Sequence, residues 1–163
     1  MQHTLKPFLR LNFEGGTTVS AVENLLNRAK FSSAPLHGVT ITAEMLLHAG
    51  KYPEVTRAIM GADFFFAVST AVWLWLRLHG ITAGRITGVD LAQEVIKQNA
   101  RCRIALLGGV DAATRARAEQ HAGTMGGAVV FSEQGPEILN YSNFDDDDFC
   151  RRLVNAAPNL IFV

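Results

Sequence analysis

Apolar and polar positions follow two periods along this chain, and the places where one gives way to the other mark its elements. The most apolar stretch, DFFFAVSTAVWLWLRLHG, changes character halfway. Phe64 to Val68 is bulky and apolar on successive positions, which predicts a strand buried on both faces. Ser69 and Thr70 then supply an N-cap pair, and Ala71 to His79 reads as a helix stopped by Gly80. From Phe64 to Leu78 the run is 15 residues, is broken by Ser69 and Thr70, and carries Arg77. A helix crossing a bilayer takes roughly 20 apolar residues. The pattern therefore reads as buried strand, tight turn and helix.

The same alternation runs along the rest of the chain. Phe8 to Phe13 reads as an edge strand closed by Gly15-Gly16. Val19 to Lys30 puts Val19, Val22, Leu25, Leu26 and Ala29 on one helical face, with Thr17 or Thr18 as cap. Leu36 to Ile41 reads as a strand, Ala43 to His48 as a helix ended by Gly50, and Pro53 to Met60 as another helix. Beyond Gly80 come a turn and a helix from Val89 to Asn99, the buried strand of RIALLGG, and a helix Ala112 to His121 capped by Asp111. The strand GAVVF, a helix Asp145 to Ala156 stopped by Pro158, and a last strand in NLIFV complete the series. Strands alternating with helices predict an α/β fold, a mainly parallel sheet flanked by helices, in a single domain spanning 1–163. Ligands bind such sheets beyond the carboxyl ends of the strands. Attention falls on Thr40 to Glu44, Val68 to Thr70, Gly108 to Asp111 and the region after Phe131.

Composition narrows the function classes. Apolar residues are 48% and charged residues 18%, and 15 basic residues balance 15 acidic ones. A net charge of +0 removes the general electrostatic argument for nucleic acid, so none is expected as a partner. The amino terminus lacks the apolar core of a secretory signal. Cys102 and Cys150 are far apart with no C-x-x-C spacing, which suits reduced thiols in a cytoplasmic protein. The histidines at 3, 37, 48, 79 and 121 show no ligand spacing, and three of them fall at predicted helix C-termini. FDDDDF carries four adjacent acids without the interleaved glycine and closing Glu of a calcium loop. It is read as the first turn of a helix, with no metal. Trp73 and Trp75, two apart on a helix, point apart, so one is expected in the core and the other partly exposed.

Two loops carry candidate ligand chemistry. In LLGGVDAAT, Gly108 and Gly109 allow close backbone approach beside a helix N-terminus, although the spacing is not that of a dinucleotide fingerprint and Asp111 would repel a phosphate. In GRITGVDL, the Arg85 guanidinium suits a phosphate, the Thr87 hydroxyl is a donor, and Gly88 allows a tight turn. Asp90 lies in the first helical turn, where the helix dipole alone accounts for a carboxylate. No Ser-His-Asp set or nucleophile elbow is present.

Five segments in order resemble the WecG/TagA/CpsF family of bacterial glycosyltransferases. VTITAEML resembles that family's strand and T-x-N-x-E turn, and KYPEVTRAIMGADFFF its D-P-E-L-x-x-A-L-x-x-A-D segment. GRITGVDL is similar to R-V-T-G-x-D-L, IALLGG to V-F-L-L-G-G, and VNAAPNLIFV to I-N-A-x-x-P-D-I-L-F-V. The resemblance spans about Val39 to Val163. It implies a Rossmann-like fold and an inverting transfer, without metal or cofactor, of N-acetylmannosamine or a similar hexose. The sugar would pass from a UDP-sugar donor to a polyprenyl-diphosphate-linked acceptor. That chemistry serves cell-surface polysaccharide synthesis at the inner face of the plasma membrane, so a cytoplasmic, peripheral location is expected. Homo-oligomer formation stays open.

Residue by residue, the resemblance assigns Thr40, Thr42, Arg85, Thr87, Asp90, Gly108 and Gly109 to substrate binding, with Glu44 and Gly88 also matching the pattern. It also brings departures. Where the family strand ends in P-D-G, whose Asp is the proposed catalytic base, this chain reads Ala67-Val68-Ser69, so the catalytic residue is unknown. The family Asn two residues after Thr40 is Thr42 here. The family pattern continues past the last strand with G-x-G-x-P-x-Q-E and a membrane-contacting appendage, and this sequence ends at Val163. Two expectations follow: a UDP-sugar glycosyltransferase of low activity, or an inactive or truncated member that binds a ligand or partner.

Overall fold

The computed structural model describes residues 6–99, 101–109, 111–134 and 147–163. Five strands run along them: β1 (Gly38–Ile41), β2 (Phe64–Ala67), β3 (Arg103–Leu107), β4 (Ala128–Glu133) and β5 (Leu160–Phe162). Seven α-helices are described: α1 (Thr18–Phe31), α2 (Ala43–Ala49), α3 (Pro53–Met60), α4 (Thr70–Leu78), α5 (Gly88–Gln98), α6 (Ala112–Thr124) and α7 (Asp147–Asn155). Among the described residues all the strand pairings are parallel. The fold is α/β and Rossmann-like, with the parallel, helix-flanked strands expected from the alternation, and the described strands form two sheets, β1-β2 and β4-β3-β5. The chain divides into two compact units, Met1–Glu94 and Val95–Val163.

In the first unit β2 is the interior strand. On one side it pairs with β1, in a register of Thr40 to Phe66 and Ile41 to Ala67. On the other side the Phe65 carbonyl accepts from the Glu14 N–H (2.8 Å) and the Ala67 carbonyl from the Ile86 N–H (3.2 Å). This double pairing is what its uninterrupted apolar sequence required. Phe65 and Ala67 face a cluster with Phe8, Ile41, Val72 and Leu76. Phe64 and Phe66 face Ala21 and Ile86 on the other side, with rings stacked 6.4 Å apart. Burying each such phenyl ring contributes about 1.5–3 kcal/mol. Each helix start has a local cause. Thr17 and Ser20 form a capping box at α1, Thr42 accepts from the Met45 N–H, and Ser69 accepts from the Val72 N–H. Each such cap is worth about 1 kcal/mol.

Three local expectations are corrected. Phe8 to Phe13 is not an edge strand: Lys6–Arg10 is a 3-10 turn, and within that stretch Phe13 alone pairs, with Phe65. Pro7 removes a ladder donor, and burying Phe8 completely against the core outweighs strand propensity. On α1 the buried stripe is Ala21 and Val22 with Leu25 half-buried, while Val19 and Ala29 are exposed, because the helix leans on Phe64 and Phe66 along one narrow line. Trp73 and Trp75 are both half-buried. Their rings flank the contact side of α4, and the Trp73 indole N–H donates to the Ala83 carbonyl (3.1 Å).

In the second unit β3 lies between β4 and β5. Ile104 and Ala105 are fully buried, and the register of β3 on β4 shifts between them. A core of Ile96, Cys102, Ile104 and Ala122 holds α6 against the sheet. Asp111 caps α6 as expected, its carboxylate accepting from the Thr114 N–H (2.7 Å). The turn from α7 into β5 depends on a long-range clamp. Arg103 donates through Nε to the Ala157 carbonyl (2.9 Å) and through Nη2 to that of Ala156 (2.6 Å). Ala157 is held there at φ 46, just before Pro158.

Candidate functional site

The candidate residues of the first unit gather at the carboxyl ends of its parallel strands. Ile41, Ala67 and Arg85 occupy one row across three neighbouring segments, because Ala67 pairs with Ile41 in β1 and with Arg85 through a parallel bridge. Just beyond that row each segment turns into a helix capped by a hydroxyl: Thr42 into α2, Ser69 into α4 and Thr87 into α5. Three sets of unpaired helix N–H groups therefore start at one end of the sheet. Such ends favour negative charge.

The hydroxyls are not equally available. Thr42 Oγ1 accepts from the Met45 N–H (3.1 Å), which leaves its own proton free to donate. Ser69 Oγ accepts likewise from the Val72 N–H (3.2 Å). Thr87 Oγ1 accepts from the Asp90 N–H (3.1 Å) and donates to Asp90 Oδ2 (2.6 Å), so its proton is committed within the cap. Asp90 is thus the partner of Thr87 as well as a charge at the start of α5. Thr40 stands beside that helix start: a Cβ on Gly88 would lie 3.8 Å from its Cγ2 and 4.0 Å from its Oγ1.

Arg85 is exposed, and among the described residues no ion pair occupies its guanidinium. It shares the row of Ala67, whereas Thr40 shares that of Phe66, and these two rows face opposite sides of the sheet. Arg85 and Thr40 therefore reach the same end of the sheet from opposite faces. Val68, at the end of β2, is half-buried between Ala67 and the Ser69 cap and offers no proton acceptor. The carboxylates near this end are Glu44, exposed in the first turn of α2, and Asp90. The sequence pattern predicts a turn between Gly80 and the helix that starts at Val89. The pairing of Arg85 with Ala67 depends on a long-range hydrogen bond that local pattern cannot show.

Gly108 and Gly109 belong to the second unit, at the end of β3. Both have left-handed backbones, φ 103 and 92, that favour glycine. The Gly108 N–H donates to the Glu133 carbonyl (2.9 Å), and a Cβ on Gly109 would sit 2.9 Å from Arg115 Cγ. Asp111, turned onto the helix, is held below the usual carboxylate range mainly by hydrogen bonds from Thr114. Arg115 gave no sequence signal, being one of several polar residues on an exposed helix.

Of the four acids in FDDDDF, Asp145 and Asp146 lie outside the described residues. Asp147 and Asp148 are in the first turn of α7, and Asp148 pairs with Arg151 (2.5 Å) and Arg152 (2.9 Å). Arg152 also pairs with Glu133. Among the described residues no cluster of three or more His, Cys, Asp or Glu could hold a metal ion, and no helix is long and apolar enough to cross a membrane. A hollow of about 360 Å³ is lined by Asn27, Arg28, Phe31, Ser32 and Leu36. It lies toward the amino end of β1, and its guanidinium is occupied, stacked on the Phe64 ring and facing Asp63.

The model of one protein family, described as Glycosyl transferase WecG/TagA/CpsF family, matches residues 6–163. No curated protein matches the chain.

Proposed function

We propose a function from one premise: this chain belongs to the WecG/TagA/CpsF glycosyl transferase family. Members of a glycosyltransferase family handle a sugar donor and an acceptor. The finer reading is that this chain binds a UDP-sugar, carrying N-acetylmannosamine or a similar hexose, and passes the sugar to a polyprenyl-diphosphate-linked acceptor. The work would be done at the cytoplasmic face of the membrane, for cell-surface polysaccharide. The observation that supports it is the convergence of three hydroxyl-capped helix starts, with the unpaired Arg85, at the carboxyl end of one parallel sheet.

In this reading Arg85 neutralises the diphosphate, whose charge grows as the sugar–phosphate bond breaks. Thr40 and the Thr42 O–H orient polar groups of the donor, and Thr87 with Asp90 fixes the start of α5 beside Thr40. Gly108 and Gly109 leave room for close backbone approach in the second unit. Inverting transfer also needs a base to take the proton of the acceptor hydroxyl, and a positioned base contributes typically about 10²–10⁴-fold. Val68 stands where the family pattern places that acid. This substitution favours a second reading, in which the chain binds the donor and transfers sugar slowly or not at all.

Titration calorimetry with UDP tests the binding reading, and binding in the micromolar range is expected. Failure of both UDP and UDP-N-acetylhexosamines to bind would overturn it. A turnover assay with those donors and a lipid-diphosphate acceptor separates the two readings: robust turnover by the parent chain would refute the slow-transfer one.

A further inference from the structure

Two buried side-chain polar atoms among the described residues have no hydrogen-bond partner, Arg115 Nη1 and Ser132 Oγ. Both belong to the second unit, near the carboxyl ends of its strands β3 and β4. Ser132 pairs in register with Leu106, one row before the end of β4. Leu106 packs on the cluster that includes Ala122 of α6, so Ser132 looks toward the face that α6 covers. Arg115 lies in the first turns of α6, beside Gly109 at the end of β3. A cationic donor and a hydroxyl donor thus share one sheet face at the carboxyl ends of adjacent parallel strands.

Buried polar groups in folded proteins are nearly always paired, so two orphans together call for a common partner. A guanidinium has donors only, and a hydroxyl can donate, so the matching partner is rich in lone pairs and negatively charged. Asp111 accepts from the Thr114 N–H and forms no ion pair with Arg115. The Arg115 charge nonetheless helps to hold its carboxyl low, so an arriving anion competes with that carboxylate for Arg115. Glu133 does not serve, since it pairs with Arg152. The Arg115 stem packs directly over Gly109, where a Cβ would lie 2.9 Å from its Cγ, so this approach needs a glycine. Arg115 as a whole is partly exposed, so rotation about its side-chain torsions brings the guanidinium to an arriving anion.

We propose that Arg115 and Ser132 hold a phosphoryl oxygen at the carboxyl ends of β3 and β4. The choice of phosphoryl compounds rests on the nucleotide-sugar reading above: the group belongs either to the UDP donor or to the prenyl diphosphate of the acceptor. The test measures affinity for inorganic pyrophosphate, UDP and geranyl diphosphate by calorimetry, in the parent chain, Arg115→Gln and Ser132→Ala. Pyrophosphate affinity should fall about tenfold or more in Arg115→Gln, and severalfold in Ser132→Ala, which removes an orphaned hydroxyl and so leaves the melting temperature unchanged or raised. Whichever of UDP and geranyl diphosphate loses the same factor identifies the source. Unchanged affinities in both variants would overturn the proposal, as would a parent chain that binds none of the three. If UDP binds normally in both variants and no other compound loses affinity, the donor reading survives and this pair falls. If UDP fails to bind but pyrophosphate binding depends on Arg115, the donor reading falls and the pair stands.

Discussion

Replacing Gly84 with Ala tests how the candidate site is built, because this glycine sits immediately before Arg85. Its N–H donates to the Glu14 carbonyl (3.0 Å), tying the Arg85 segment to the chain that follows Phe13. A Cβ at Gly84 would lie 2.5 Å from the Gly16 carbonyl oxygen and 3.4 Å from the Gly16 C and N atoms. All three are backbone atoms, so no rotamer change relieves the contact, and one segment must move by about half an ångström or more. Overpacking of this kind costs about 1–3 kcal/mol. Loss of glycine flexibility in the unfolded chain returns about 0.4–1 kcal/mol. The net expected loss is about 1–2 kcal/mol, or about 2–8 °C in melting temperature for a chain of this size. Gly15→Ala is the control: nothing lies within 4 Å of its added Cβ, so only the unfolded-chain effect acts and its stability should be unchanged or raised by up to about 1 kcal/mol. Thermal and urea unfolding followed by circular dichroism give both numbers. A Gly84→Ala chain melting within about 1 °C of the parent, or a Gly15→Ala chain falling as far, would refute the close-approach argument.

Four further outcomes are expected. Arg85→Ala should weaken UDP binding about tenfold, equal to about 1.4 kcal/mol, and unchanged affinity would remove Arg85 from the site. Val68→Asp with Ser69→Gly should raise sugar transfer over the parent; equal rates would mean that another residue is the base. Cys150 should react with a thiol reagent in the native protein while Cys102 waits for unfolding, since Cys102 is 1% exposed and burial pushes its pKa up. Labelling of both at one rate would contradict the packing. Asp148 is held below the usual carboxylate range by Arg151 and then Arg152, so the stability it contributes is present above the unfolded value of about 3.9 and disappears as pH falls through its lower folded value. Asp148→Asn should therefore lose less melting temperature than the parent between pH 5 and pH 2, and identical pH profiles would show that the pairing carries no stability.

Much of this protein follows from its sequence because local causes set it. The apolar run at Phe64–Ala67, bulky on successive positions, favours a strand buried on both faces, and all four residues are buried in β2. Ser69, Asp111 and Thr17 announce helix starts because a short oxygen-bearing side chain reaches the backbone two or three residues ahead. Pro53 and Gly61 bracket α3, and Gly80 follows α4 with φ 74. Five short motifs in a fixed order were enough to indicate the family.

Tertiary structure decided what depends on partners distant in the chain. Phe8 to Phe13 had strand-like residues, yet Pro7 and the burial of Phe8 made its start a 3-10 turn. Arg85 acquired a strand-like position only through Ala67, eighteen residues earlier. Thr87 looked like a free donor until the Asp90 carboxylate took its proton. Arg115 and Ser132 had no signature at all: an unpartnered polar atom is a property of packing, and packing joins residues that the sequence keeps apart.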